Sequence, residues 1–367
     1  MDAVVRLARL VGALVTRAAA RLPGPGVAGT GSRGWGLLTR ALHLRPDVLT
    51  KPSSLGMRRL AITGIAVNVF IVASGGLVRL TKSGLGCPTW PRCTRDSLLP
   101  APETDIPLSR MLIEFGNRTL TFALLLVAVL VFVAALHLRT ERPDLVRLAV
   151  IQPLGVVSQA LLGGVTVLTG LHPASVGAHY LLSVLVLVAC VALHIRAIEG
   201  DRPPRRTLPS RSYLLATLLP LAGFLLLAAG TVVTGAGPHA GDESAPRYVF
   251  LGVDTVATTA KVHSALMWLT VLGVAGLLVL ARRAGRLVVV RRTYVLIAVI
   301  LVQGAIGYVQ YFTGVPEQLV LLHVLGSALF WVALLYVRFA ARDRGPAERV
   351  PGDALTTPEV QPVRSGA

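Results

Sequence analysis

The chain has 367 residues, 53% of them hydrophobic and only 15% charged, with a mean hydropathy of +0.68. That is too apolar for one soluble domain of this length and points to a membrane protein with several spans. The net charge is +18, from 36 basic against 18 acidic residues; the arginines fall mainly between apolar runs and at the termini, so they read as membrane-flanking charge rather than a nucleic-acid surface.

Residues 1–58 do not fit a membrane domain. They hold an arginine-rich stretch from Arg6 to Arg21 and then the tract RLPGPGVAGTGSRGWG. No apolar core of a secretory signal is present, so the segment reads as a basic extension and linker. Met57-Arg58-Arg59 would itself suit the start of a span entering from the cytoplasm.

Eight apolar runs reach the roughly 20 residues that cross hydrocarbon. They lie at 60–80, 111–136, 147–169, 178–198, 212–236, 258–281, 293–313 and 319–340. Linkers 137–147, 199–211 and 282–292 concentrate arginine, which places them and both termini in the cytoplasm. The alternate linkers are rich in Gly, Pro and Thr. Residues 341–367 are polar and Pro-rich, and read as a disordered cytoplasmic tail.

One pattern occurs twice. Gln159, Thr169-Gly170 and His179 recur as Gln303, Thr313-Gly314 and His323, 144 residues later. SGGLVRLTKSG at the end of span 1 resembles AAGTVVTGAG at the end of span 5. The expected fold is therefore an all-α polytopic membrane protein. Its eight transmembrane helices form two tandem, pseudo-symmetric four-helix bundles, 59–199 and 200–340.

Even-numbered spans run inward, so Glu114, Asn117, His179, His263 and His323 all fall within one or two turns of an outer helix start. At 1.5 Å per residue that is a shared depth of roughly 5–9 Å. His263 and His323, on spans 6 and 8, suit axial ligation of a haem by facing helices; the alternative is a structural pair. The first half offers His179 but carries Asn117 where span 6 has a histidine. Glu114 is a carboxylate at membrane depth and a functional candidate, with an i,i+4 salt bridge to Arg118 as its structural alternative.

The weaker histidines, His137 and His194 at cytoplasmic ends and His172 and His239 in outer loops, read as surface groups. Cys190, inside an apolar run, reads as a packing residue. Cys87 and Cys93 share the first outer loop, where a redox-exchange pair, a static disulfide and free thiols all remain open. No HExxH, CxxC or Walker motif is present.

Together, GGLVRLTKSGLGCPTWPRC, IEFGNRTLTF, TGLHPASVGAHY and TGVPEQLVLLHV resemble the heme A synthase family, of the actinobacterial kind, over about 58–340. The resemblance implies oxidation of the C8 methyl of heme O to a formyl group, giving heme A for cytochrome c oxidase. It implies a heme b cofactor on the iron ligands His263 and His323, and a substrate heme with His179 on its iron and Asn117 and Arg118 beside it. Glu114 takes the catalytic position and Cys87–Cys93 the disulfide. Heme O synthase, oxidase assembly factors, an electron-transfer partner and membrane lipid are the implied partners, and the plasma membrane the location. Many members have Glu-x-x-His in span 2, and this chain has Asn117 instead. Some carry a second cysteine pair in the third outer loop, which 237–257 lacks. The rival readings are a b-type electron-transfer protein, a non-catalytic heme carrier or assembly factor, and a secondary transporter.

Overall fold

The computed structural model describes residues 54–101 and 106–345. The basic extension up to residue 53 and the tail from 346 lie outside the described residues. Eight helices make up most of the rest: α1 Ser54–Leu80, α2 Leu108–His137, α3 Pro143–Leu168, α4 Pro173–Ile198, α5 Ser210–Ala236, α6 Thr255–Arg283, α7 Leu287–Phe312 and α8 Glu317–Ala340. All eight are long and apolar enough to cross a membrane. A helix meets its own backbone hydrogen-bonding needs, which hydrocarbon cannot.

The helices run longer than the apolar runs at several ends. α1 begins at Ser54 rather than 60, because Met57, Leu60 and Ala61 are buried against Val131, Ala134 and Leu145. α4 begins at Pro173 rather than 178, with proline in its first turn where no intrahelical donor is needed. α6 is capped by Asp254, whose carboxylate accepts the Ala257 N–H at 2.9 Å. Glu114, His179 and His323 are each the seventh residue of their helices, and His263 is the ninth of α6.

α1 packs on α2 and α4, and α3 closes the cycle between α2 and α4. The same cycle recurs in the second four helices: α5 packs on α6 and α8, and α7 on both. The first four helices meet the second along α1, α4, α5 and α8. A continuous core including Val184, Leu187, Leu227, Leu277 and Leu334 runs through that junction.

The repeated Thr-Gly turns share one backbone. Gly170 (φ 60°) and Leu171 (φ 59°) both lie in the left-handed region, as do Gly314 (φ 79°) and Val315 (φ 60°). Each Thr hydroxyl closes its helix by donating 2.8 Å to the carbonyl four residues back, Val165 or Val309. Leu171 accepts this unfavourable conformation because its side chain is buried against Ala240, Ala245 and Leu85.

The outer loops interlock. Arg79, at the end of α1, donates to the carbonyls of His239 and of Thr234, the latter at 2.6 Å. Gly84 N–H donates to Gly241 O at 2.9 Å, and Lys82 pairs with Glu243 at 2.8 Å. The hydrogen bond from Lys82 holds the Glu243 carboxyl below its ordinary range. His239, expected at the surface, is half-buried, and its Nε2 lies 2.7 Å from Val315 O.

At the other end, Arg196 is buried and pairs with Asp144 at 2.6 Å and Asp201 at 3.2 Å. Arg142 bridges the same two aspartates. His194, expected to face solvent or headgroups, is half-buried, with Nδ1 2.6 Å from the Tyr336 hydroxyl on α8. The tail expected to be disordered from 341 begins with ordered residues. Arg342–Asp343 pair antiparallel with Arg205–Arg206, and Thr207 donates twice to the end of α8. These backbone partners fix the chain where composition alone gave no reason for order.

Candidate heme site

α6 and α8 stand on opposite corners of the second helix cycle, each packed on α5 and α7. Their histidines meet across it. The rings of His263 and His323 lie 6.5 Å apart, centroid to centroid, at an interplanar angle of 68°. That spacing admits one metal ion between two ligating nitrogens, each at about 2 Å. Nδ1 of His263 lies 3.1 Å from the Leu226 carbonyl oxygen, which can only accept. The proton is therefore on Nδ1, and the Nε2 lone pair is left for a metal. Nδ1 of His323 is buried without a hydrogen-bond partner. A buried imidazole in this state is incomplete unless something else meets it. The donor set and the spacing fit an axially ligated heme iron.

The odd-numbered helices make room for the rings. A Cβ at Gly230 would stand 3.2 Å from Cε1 of His263, and one at Gly307 would stand 3.2 Å from Cε1 of His323. A Cβ at Gly163 would stand 3.3 Å from Cε1 of His179. Sequence reasoning did not find that each of these glycines faces an imidazole. The signal was there, since Gly163 and Gly307 keep the offset of the repeated pattern. The repeated glutamines also have one role: Gln159 Nε2 donates to His179 O at 3.1 Å, and Gln303 Nε2 to His323 O at 2.9 Å. Each ties α3 to α4, or α7 to α8, at the histidine itself.

The first four helices depart from this scheme. His179 is on α4 and its Nδ1 is buried without a partner. Across the cycle on α2, Asn117 lies with its Oδ1 2.7 Å from the Ser74 hydroxyl of α1. No hydrogen bond joins Asn117 to His179 among the described residues.

Glu114 and Arg118 come together one turn apart on α2. Arg118 donates to Glu114 Oε1 from Nη2 at 2.7 Å and from Nε at 3.2 Å. The other oxygen, Oε2, accepts the Cys87 N–H at 2.5 Å. Arg118 also donates to the carbonyls of Cys87, Thr89 and Arg92. The pair thus holds the whole Cys87–Cys93 loop. Cys87 and Cys93 are joined as a disulfide, and both are fully buried beside Met111 and Phe115. Gly86 lets the loop reach α2: a Cβ there would lie 2.4 Å from Arg110 O. Trp90 lies against Gly164, the neighbour of the glycine that faces His179.

A family model described as cytochrome oxidase assembly protein, COX15-CtaA, matches residues 58–335. The chain belongs to this family. Its similar relatives include the heme A synthase of Shouchella clausii, 30% identical over 164 residues, which are 43% of this chain and 52% of the relative. The heme A synthase of Geobacillus thermodenitrificans is 29% identical over 37% of this chain and 42% of its own length. A heme A synthase of Listeria monocytogenes is 31% identical over 36% of this chain and 42% of its own length. The chain thus spans about half the length of the curated relatives it matches. The family match covers six helices whole, α1 but for its first residues, α8 but for its last, and every site residue described above.

Proposed function

We propose that this chain is a heme A synthase, oxidising the C8 methyl of heme O to a formyl group and so supplying heme A to cytochrome c oxidase. The observation that supports this best is the pairing of His263 with His323 at 6.5 Å across one helix cycle, while Asn117 stands opposite His179 in the other. A carrier built only to pass electrons between two fixed hemes would have two closed sites. Here one site offers two imidazoles and the other only one.

We read 200–340 as the heme b unit and 59–199 as the substrate unit, two tandem pseudo-symmetric four-helix bundles. His263 and His323 hold the heme b iron, and heme b supplies one-electron transfer. His179 takes the iron of heme O, with Asn117 and Arg118 beside it. Glu114 supplies a fixed negative charge at the outer end of the same unit. Arg118 and the Cys87 N–H set both of its oxygens before substrate arrives, so no reorganisation is needed when positive charge develops on the methyl carbon. The buried disulfide holds the covering loop and thereby keeps water from the site. The oxidation removes electrons from the carbon, so an acceptor outside this chain completes it. Heme O synthase and oxidase assembly factors are the natural neighbours in such a sequence. The arginine-rich linkers support a multi-pass plasma-membrane protein with both termini cytoplasmic.

The test is expression of the full chain in cells that make heme O but no heme A. Heme extracted from their membranes should contain heme A. Heme O alone, with the protein present and heme b bound, would overturn the reading in favour of an electron carrier.

A further inference from the structure

α4, α5 and α8 leave a groove of about 480 Å³ between the two sets of four helices, at the end where the arginine-rich linkers lie. This volume is within the range of about 300–1,000 Å³ typical of ligand sites. Its length is apolar, lined by Leu185, Val188, Leu221, Phe224 and Leu335. Its end is cationic, with Arg338 and Arg342 in the lining. The Arg338 guanidinium lies 5.1 Å from the centre of the Tyr213 ring, and Arg206 lies 4.8 Å from the same ring. Arg342 lies over Phe339 at 4.9 Å, and its Nε is buried without a hydrogen-bond partner among the described residues. Among the described residues the only carboxylate paired with Arg342 is Glu199, at 3.5 Å, and Glu199 is shared with buried Arg196. Burial holds the Arg342 guanidinium below its ordinary pKa; Glu199 opposes this, and the charges of Arg344, Arg196 and Arg338 add to it. The groove end is therefore a cluster of cations with too little negative charge of its own.

We propose that this groove is a binding site for one anionic phospholipid, with an acyl chain along Leu185, Val188, Leu221, Phe224 and Leu335 and its phosphate between Arg338 and Arg342. An apolar slot ending in guanidiniums matches both parts of such a molecule. A lipid there would fill the seam between α4 of the first half and α5 and α8 of the second. This reading does not depend on the heme chemistry, since none of these residues belongs to the heme site.

The experiment is native mass spectrometry of the purified full chain after detergent delipidation and titration with phosphatidylglycerol or phosphatidylcholine. Phosphatidylglycerol should bind once per chain and phosphatidylcholine markedly less. R338Q/R342Q should weaken phosphatidylglycerol about 25-fold, at about fivefold for each arginine near a membrane surface. L221W should weaken it comparably by filling the slot while keeping both charges. R139Q/R286Q, which removes two arginines elsewhere at the same end, should leave binding unchanged. Helical circular dichroism and a single gel-filtration peak, retained in all variants, would show that each has folded. Equal binding by R338Q/R342Q and the parent would overturn the site. So would an equal loss in R139Q/R286Q, which would mean diffuse attraction. Displacement by inorganic phosphate at lipid concentrations, with L221W unaffected, would reduce it to a phosphate site and equally overturn the proposal.

Discussion

Glu114 has both oxygens committed, one to Arg118 and one to the Cys87 N–H, and it is buried. Both sequence readings of this residue therefore meet in one geometry: the salt bridge exists, and it is also what would hold a charge ready. Separating them requires two variants. Glu114→Gln keeps the shape and an acceptor for Cys87 N–H but removes the charge. It should keep heme b and the disulfide, and lose about 10²-fold in heme A formation, with heme O or a hydroxylated product accumulating. Arg118→Gln leaves a buried carboxylate without its partner and frees the loop, at a cost of about 3–5 kcal/mol. Its disulfide should become reducible at mild thiol concentrations, read by mass labelling of the released cysteines. Near-normal heme A from Glu114→Gln would assign the residue to the loop alone. The pairing of Glu114 with Arg118 was legible from i,i+4 spacing. Its grip on the Cys87–Cys93 loop was not, because no local pattern says which backbone a buried pair will face.

The helices themselves were legible because membrane-spanning runs are long and apolar, and every one expected is present. Their outer starts were less so. Pro173-Ala-Ser-Val-Gly reads as loop by hydropathy, yet it is the first five residues of α4. There Pro173 lies against Gly235, and Gly177 against Thr231 of α5. Contacts between distant parts of the chain, not the local apolar count, decide that boundary. The repeated pattern marked where the histidines stand, but the partners that shape their pockets came only with packing. Gly307 is the sharpest case. Gly307→Val places branched carbon into space already in contact with the His323 ring, an overpacking cost of about 1–3 kcal/mol. It should diminish the low-spin heme b spectrum while leaving substrate heme on His179. Gly163→Val should do the reverse. Loss of the same signal in both variants would mean that the two halves do not hold separate hemes.

At the scale of the whole molecule, interlocked outer loops and a shared core join eight helices, with His263 and His323 facing each other in the second cycle and Asn117 on α2 of the first. Arg79 and the Gly84–Gly241 bond tie the first outer loop to the third, and Arg196 and the pairing of Arg205–Arg206 with Arg342–Asp343 gather the opposite end. The eight helices long and apolar enough to cross a membrane followed from hydropathy. The ordered start of the tail did not, because it depends on backbone bonds between residues about 135 apart. The asymmetry between the cycles is the centre of the account: a permanent heme b on His263 and His323, and an exchangeable heme on His179. Chromatography of the hemes extracted from the purified full chain tests it most directly. The account predicts heme B together with heme O or heme A in the same preparation. Heme B alone, or no heme at all, would contradict it.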